Sequence, residues 1–420
     1  MEVISIHKRG VYSFHILGGL VLSVFKLICR NVLILACTSL VLTACGDSSR
    51  TPSSPAVLPG INATEAASRA VSQGLVGAAF GQVSITRRYV GVAGLRQLGI
   101  TYALNGQESF IIGSNTKAMT AVVAARLIER GVLRWDRTIG EAIPELQKSM
   151  RVDYRTVTLE QLLAHRGGVL AMTGDEDLQR FQVFLGNYTG ALPQTLPERR
   201  RFFANWLLMQ LPPRGVTPGQ DYYYSNVGYV LVGAMLEAMT SKPHETLFYE
   251  ELTQPLGVAG SWIRPELMAA NQPLGHEGAR GQLIVVPPFT AEEQQWFDVI
   301  APAGLFSATP AAYSTWLHWH LLALQGQVTP LPGGYVQRLK QLAHGDYAVG
   351  WVATRRTGLP VLAHTGSWGG FMCEAVVDRA GQRASFSMTN TDEVAADGSS
   401  WVLDVLDTQL IEMDRRARLR

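Results

Sequence analysis

The sequence predicts an α+β fold: an antiparallel sheet assembled from both ends of the chain and flanked by helices, with a large, mostly helical region inserted between its halves. Three observations carry this. Gly-punctuated apolar runs of strand character occur early, in "GLVGAAFGQVSITRRYVGVAGLRQLG", and again late, in "YAVGWVATRRTGLPVLAHTGSWGGFMCEAVVDRAGQRASFSMTN". The stretches between them carry helical spacing instead. No repeat of fixed period runs through the chain.

Composition sets the limits. With 47% apolar and 17% charged side chains over 420 residues, the chain can bury a large core. A formal charge of +2 and no block of like charges leave nothing to hold a phosphate backbone, so nucleic acid is excluded as a partner class.

The first 45 residues stand apart. Two apolar runs, "VYSFHILGGLVLSVFKLI" and "NVLILACTSLVLTAC", are separated by Cys29 and Arg30, and the second has the length of a signal-peptide core. It ends at Leu42-Thr43-Ala44-Cys45 and is followed by the polar, Pro/Ser-rich "GDSSRTPSSPAVLPG". This resembles a bacterial lipoprotein signal, with Cys45 as the lipidated first residue of the mature chain. The expected organisation is a signal peptide over 1–45, a flexible tether over 46–61 and a folded domain over 62–415. One uncleaved membrane helix is the alternative, and both readings export the chain. Cys373 is then the single thiol of the folded part, so the domain is held by its core rather than by disulfides.

In chain order, residues 62–73 read as a helix, and a hairpin turns near Arg87 and Arg88 between two strands. "NTKAMTAVVAARLIERG" places Met119, Val122, Val123 and Leu127 at helical spacing and stops at Gly131. "NVGYVLVGAMLEAMTSK" and "ATPAAYSTWLHWHLLALQG" repeat the pattern, the latter with Thr309 as N-cap and Pro310 as first helical residue. After the late strands, "SSWVLDVLDTQLIEMDRRARLR" closes the chain as a helix. A ligand site is expected in a cleft between sheet and insert.

Chemistry enters through lysine, which the chain uses at only Lys8, Lys26, Lys117, Lys148, Lys242 and Lys340. Ser114 and Lys117 sit three apart at the start of a helix, one turn from each other on one face. A serine hydroxyl becomes a nucleophile when a neighbour takes its proton, and a lysine with a depressed pKa can do so where an arginine cannot. The pattern alone is weak, since Ser5/Lys8 and Ser23/Lys26 match it inside the leader. "DYYYSNVGYVLVG" adds Tyr224, a candidate proton relay, and Asn226, a candidate contact for a substrate amide. Ser225-Asn226 also suits a helix cap. "VLAHTGSWGGF" ends a strand with His364, Thr365, Gly366 and Ser367, where glycines allow close backbone approach and the N–H groups of Ser367 and Ser114 could meet an oxyanion. His318 and His320, two apart on a helix, diverge and form no metal pattern. His165 reads as a structural residue at a helix end. No G-x-S-x-G elbow is present.

In the order S-x-x-K, Y-x-N, H-T-G, these stretches resemble the serine β-lactamase and penicillin-binding protein superfamily, specifically its class C β-lactamase and D-alanyl-D-alanine carboxypeptidase branch. "LIERGVLRWDRTIGEAIPEL", "VTLEQLLAHRGGV", "APAGLFSATPAAYSTWL" and "HTGSWGGF" look like family landmarks in the family's order. The resemblance implies a β-lactamase/transpeptidase-like fold and Ser114 as acyl-accepting nucleophile. Lys117 and Tyr224 would be base and proton relay, their order undecided. Asn226, His364, Thr365 and Ser367 would bind substrate, the two hydroxyls holding a carboxylate. It implies no metal or organic cofactor. His364 stands where many β-lactamases have lysine, which leans toward peptidase and esterase members. The expected function is an exported, monomeric serine hydrolase, membrane-anchored through Cys45 and facing the periplasm. It would act on D-alanyl peptide or β-lactam amides. Carboxylic ester hydrolysis and a non-catalytic sensor are the alternatives.

Overall fold

The computed structural model describes residues 54–262, 271–287, 291–393 and 399–418. The expected signal peptide, Cys45 and the first half of the expected tether lie outside the described residues.

Eight strands make the main sheet: β1 (Val57–Pro59), β2 (Gly77–Ser84), β3 (Arg88–Gly94), β4 (Tyr347–Ala348), β5 (Trp351–Arg356), β6 (Leu359–Trp368), β7 (Phe371–Asp378) and β8 (Arg383–Thr389). Their order is β1-β3-β2-β8-β7-β6-β5-β4. The two ends of the chain meet where β8 pairs antiparallel with β2, from Arg383↔Ser84 to Thr389↔Ala78. The sheet therefore closes only after the intervening helical region has been made. Every pairing is antiparallel except β1 with β3.

That exception corrects the expected tether over 46–61. Residues 57–59 are a strand in register with Arg88–Val90, and α1 (Ile61–Ser72) starts two residues later. The cause is local. The Arg88 guanidinium, buried on the sheet, donates from Nε to the Pro55 carbonyl at 2.6 Å and draws this Pro-rich stretch onto the edge. An edge strand tolerates proline because its outer N–H needs no partner.

Both faces of the sheet are covered, which explains why β7 is buried almost throughout. On one face, α1 presents Ala63, Ala66, Ala67 and Ala70, and the final helix α6 (Trp401–Arg418) presents Val402, Leu406, Leu410 and Met413. On the other lies the helical region, centred on α2 (Thr116–Glu129), α4 (Asn226–Thr240) and α5 (Pro310–Leu324). Thr309 caps α5 by accepting the Ala312 N–H, as its sequence predicts. The short α3 (Leu159–Leu163) begins with a reciprocal capping box between Thr158 and Gln161.

α2 departs from its sequence reading. It is buried along nearly its whole length, polar Thr116, Lys117 and Thr120 included, because sheet and helical region enclose it from both sides. A helix enclosed in this way is apolar all round, so any polar residue on it needs a partner.

Candidate active site

The site forms where α2 begins. A 3₁₀ turn over Gly113–Asn115 precedes the helix, and Asn115 ties that turn down. Its Nδ2 donates to the carbonyls of Ile112 and Cys373, and its Oδ1 accepts from the Tyr313 hydroxyl at 3.0 Å. The turn is thereby fixed to both β7 and α5.

Ser114 and Lys117 then stand one turn apart as expected. Lys117 is completely buried, and its Nζ donates to Ser114 Oγ at 2.8 Å, to Asn226 Oδ1 at 2.7 Å and to the Ala303 carbonyl at 2.9 Å. No carboxylate among the described residues takes part in this coordination. Burial pushes the Lys117 ammonium well below its ordinary pKa. On the other side, the Tyr224 hydroxyl donates to Ser114 Oγ at 2.9 Å. Burial raises the Tyr224 phenol to about 12, so it stays protonated where the amine can be neutral.

Tyr224 and Asn226 come from a distant segment held on a backbone rail. The Tyr223 N–H reaches the His165 carbonyl and the Asn226 N–H reaches the Ala171 carbonyl. Gln161 Nε2 donates to the Gly219 carbonyl, and Asn226 Nδ2 donates to the Met172 carbonyl. Of the two sequence readings of Ser225-Asn226, the helix cap is seen at Ser225. Ser225 caps α4 by accepting the Gly228 N–H, which frees the Asn226 side chain for Lys117.

The third segment is the edge of β6. β5 pairs with β6 only from Leu359 to Ala363, so beyond Ala363 that edge of β6 turns to the Gly113 turn instead. A Cβ on Gly366 would overlap the Ser114 amide nitrogen and the Ile112 carbonyl, and one on Gly113, whose φ is +52°, would overlap the Ser367 nitrogen. Only glycine at both places lets the two chains touch, and the contact brings the amides of Ser114 and Ser367 to one junction.

The remaining expected residues are less uniform. His364 is buried; its Nδ1 contacts the Thr365 carbonyl and its Nε2 the Tyr347 hydroxyl, 3.2 Å away. Burial and, next, the Lys117 charge push its imidazole down to about 3, so it is neutral. Thr365 is exposed at the strand edge. The Ser367 hydroxyl, expected to meet a substrate carboxylate, donates instead to Asp392.

Several site residues escaped the sequence reading. Ala303 acts through a carbonyl that no side chain advertises. Tyr347 lies on the short β4 and Asp392 just after β8, both in stretches without a motif. His165 is more than a structural end residue: at φ +55° its ring packs 4.2 Å from Tyr224 and 4.3 Å from Tyr347, and its Nδ1 accepts the Ser225 N–H. His318 and His320 hydrogen-bond separately, to Ile85 and Ser54 and to Trp316 and Tyr335.

Comparison with known proteins agrees with this fold. Unguisins hydrolase ungD' of Aspergillus campestris is 23% identical over 325 residues, covering 73% of this chain and 57% of that protein. The chain thus spans little more than half the length of that curated relative. Among solved structures, the D-amino acid amidase of Ochrobactrum anthropi superposes with a TM-score of 0.64 at 18% identity, over 85% of this chain and 98% of the amidase. The class C β-lactamase of Rhodobacter sphaeroides superposes with a TM-score of 0.63 at 17% identity, over 85% of this chain and all (100%) of that one. These likenesses show the fold. A model of the β-lactamase family matches residues 62–408, from the first helix into the last, and the chain therefore belongs to the β-lactamase family.

Proposed function

We propose that this protein is a serine hydrolase that cleaves amide bonds through an acyl-Ser114 intermediate, on substrates of the D-amino acid amide or D-alanyl peptide class. The observation that carries the reading is the buried Lys117 Nζ between Ser114 Oγ and Asn226 Oδ1, with no carboxylate among the described residues in its coordination. An amine so placed is ready to lose its charge. When it is neutral its lone pair accepts the Ser114 O–H, and Oγ attacks the substrate carbonyl carbon as that proton passes to Nζ. The negative charge that develops on the carbonyl oxygen falls at the junction of the Ser114 and Ser367 N–H groups. The protonated Tyr224, on the other side of Oγ, relays a proton to the leaving amine as the C–N bond breaks. Water then adds to the ester and the same groups run in reverse. The raised pKa of Tyr224 and the lowered pKa of Lys117 favour the amine over the phenol as base.

The solved D-amino acid amidase, described as complexed with L-phenylalanine amide, supports amides as the substrate class. Ester hydrolysis would use the same nucleophile, and the neutral His364, in place of a cation, favours it as the second reading. The leader motif supports export and lipidation at Cys45, with the enzyme held at the periplasmic membrane face; loss of lipid labelling on Cys45→Ser would test that.

The test is paired labelling of wild type and Ser114→Ala with a fluorophosphonate and a fluorescent penicillin, together with hydrolysis of D-amino acid amides. Serine-dependent labelling with amide turnover is expected. Equal labelling of both proteins would remove Ser114 from the mechanism.

A further inference from the structure

Ser367 contributes more than an amide to the site. Its hydroxyl, on the strand edge that meets Ser114, donates to Asp392 Oδ2. One hydrogen bond and one residue's covalent geometry keep that carboxylate within about 6 Å of the Ser367 amide nitrogen. Asp392 is 6% exposed, and its second oxygen is buried without a hydrogen-bond partner among the described residues.

The charges around it are also acidic. Glu277 bridges to Asp392 on the neighbouring strand, and Glu393 follows it in the chain. His276, whose carbonyl accepts the Asp392 N–H, has its own ring held by the Leu98 N–H and the Asn390 carbonyl, and burial keeps it neutral. Thr365 pairs across the sheet with Glu374, which, with Asp407, binds Arg356. His364, on the other face of the same strand, carries no charge. Apart from Lys117, which is tied to Ser114, Asn226 and the Ala303 carbonyl, no cation among the described residues faces Asp392, and of the two hydroxyls expected to hold a substrate carboxylate that of Ser367 is taken while Thr365 is exposed.

We propose that Asp392 is a specificity-determining residue: by holding the Ser367 hydroxyl and setting a carboxylate beside the oxyanion junction, it selects substrates that are neutral or cationic next to the scissile carbonyl. Substrates with a free carboxylate within one residue of that bond are disfavoured. This rests on the amide-hydrolase reading above and narrows it to amides, blocked peptides and esters rather than peptides with a free C-terminal D-residue. Like charges at this separation, in a partly buried setting, correspond to discrimination of roughly tenfold to a hundredfold. Burial and the Glu277 charge lift Asp392 to about 6, so the effect should weaken in mild acid, where Asp392 is neutral and a substrate carboxylate is still ionised.

The test uses purified full-length protein and a matched pair, an N-acyl-D-alanyl-D-alanine and its C-terminal carboxamide. In wild type, kcat/KM should favour the carboxamide by about tenfold or more at pH 8. That preference should shrink toward pH 5. In Asp392→Ala, with Asp392→Asn as the variant closest in shape, the preference should be small and independent of pH. The pH series on wild type decides the matter even if neither variant folds. Equal rates on both substrates in wild type, or a preference that neither pH nor substitution changes, overturns the assignment of Asp392. Failure to turn over either substrate overturns the amide-hydrolase reading itself, and this inference with it.

Discussion

The Tyr224 hydroxyl lies 2.9 Å from Ser114 Oγ although 110 residues separate them in the chain. With Lys117 on the other side, the serine oxygen sits between a phenol held protonated and an amine ready to deprotonate.

Lys117→Arg preserves positive charge but cannot supply a neutral base, and its larger head must enter a fully buried site. Lys117→Arg and Lys117→Ala should both lose about 10²–10⁴-fold in the rate of fluorophosphonate acylation. Rates within tenfold of wild type would remove Lys117 as base.

The pH profile follows from the direction of the Lys117 shift. Its neutral form is the active one, so acylation by a neutral probe should rise with pH through an ionisation well below the ordinary lysine value of about 10.4. Tyr224 remains protonated up to about 12 and His364 stays neutral above about 3, so neither should impose an alkaline fall at pH 8 to 10. A profile that falls there, with the protein still folded by circular dichroism, would mean that the protonated Lys117 is the active form and would remove the neutral amine as base.

Gly366→Ala should damage the site far more than one methyl group suggests. Its Cβ would occupy the position of the Ser114 nitrogen and the Ile112 carbonyl, forcing β6 and the nucleophile turn apart. Turnover should fall at least about a hundredfold, the scale of a lost oxyanion donor. Stability should fall by about 1–3 kcal/mol, measured by urea unfolding.

His165 positions Tyr224 rather than touching substrate. His165→Phe keeps a ring against Tyr224 but removes the acceptor for the Ser225 N–H. The orphaned donor should cost about 1–3 kcal/mol of stability. Looser placement of the phenol should lower kcat by about tenfold with KM little changed. A fall in kcat/KM that comes from a raised KM with kcat unchanged would assign His165 to substrate binding instead.

Deep in the helical region, Arg200 is fully buried and ion-paired with Glu237, near the end of α4, and with Glu245. Arg200→Met leaves Glu237 buried without its cation and should destabilise the fold by about 3–5 kcal/mol in urea unfolding, with Ser114 labelling intact in the protein that remains folded.

Much of this was legible in the letters because it depends on local periodicity. Ser114 and Lys117 are a helical turn apart in any helix that starts there, Thr309-Pro310 starts a helix for reasons internal to four residues, and alternating strands at both ends require a sheet that closes late. Other features depend on contacts across the fold, which no local pattern encodes. The burial of Lys117 arises because sheet and helices enclose α2 on all sides. The strand at Val57–Pro59 exists because Arg88 captures Pro55. The Ala303 carbonyl, the His165 clamp and the diversion of the Ser367 hydroxyl to Asp392 all join residues remote in the chain. Residue spacing thus placed the Ser114 hydroxyl and the Lys117 amine one turn apart, whereas long-range packing buried that amine, lowered its pKa and set a carboxylate against the Ser367 hydroxyl.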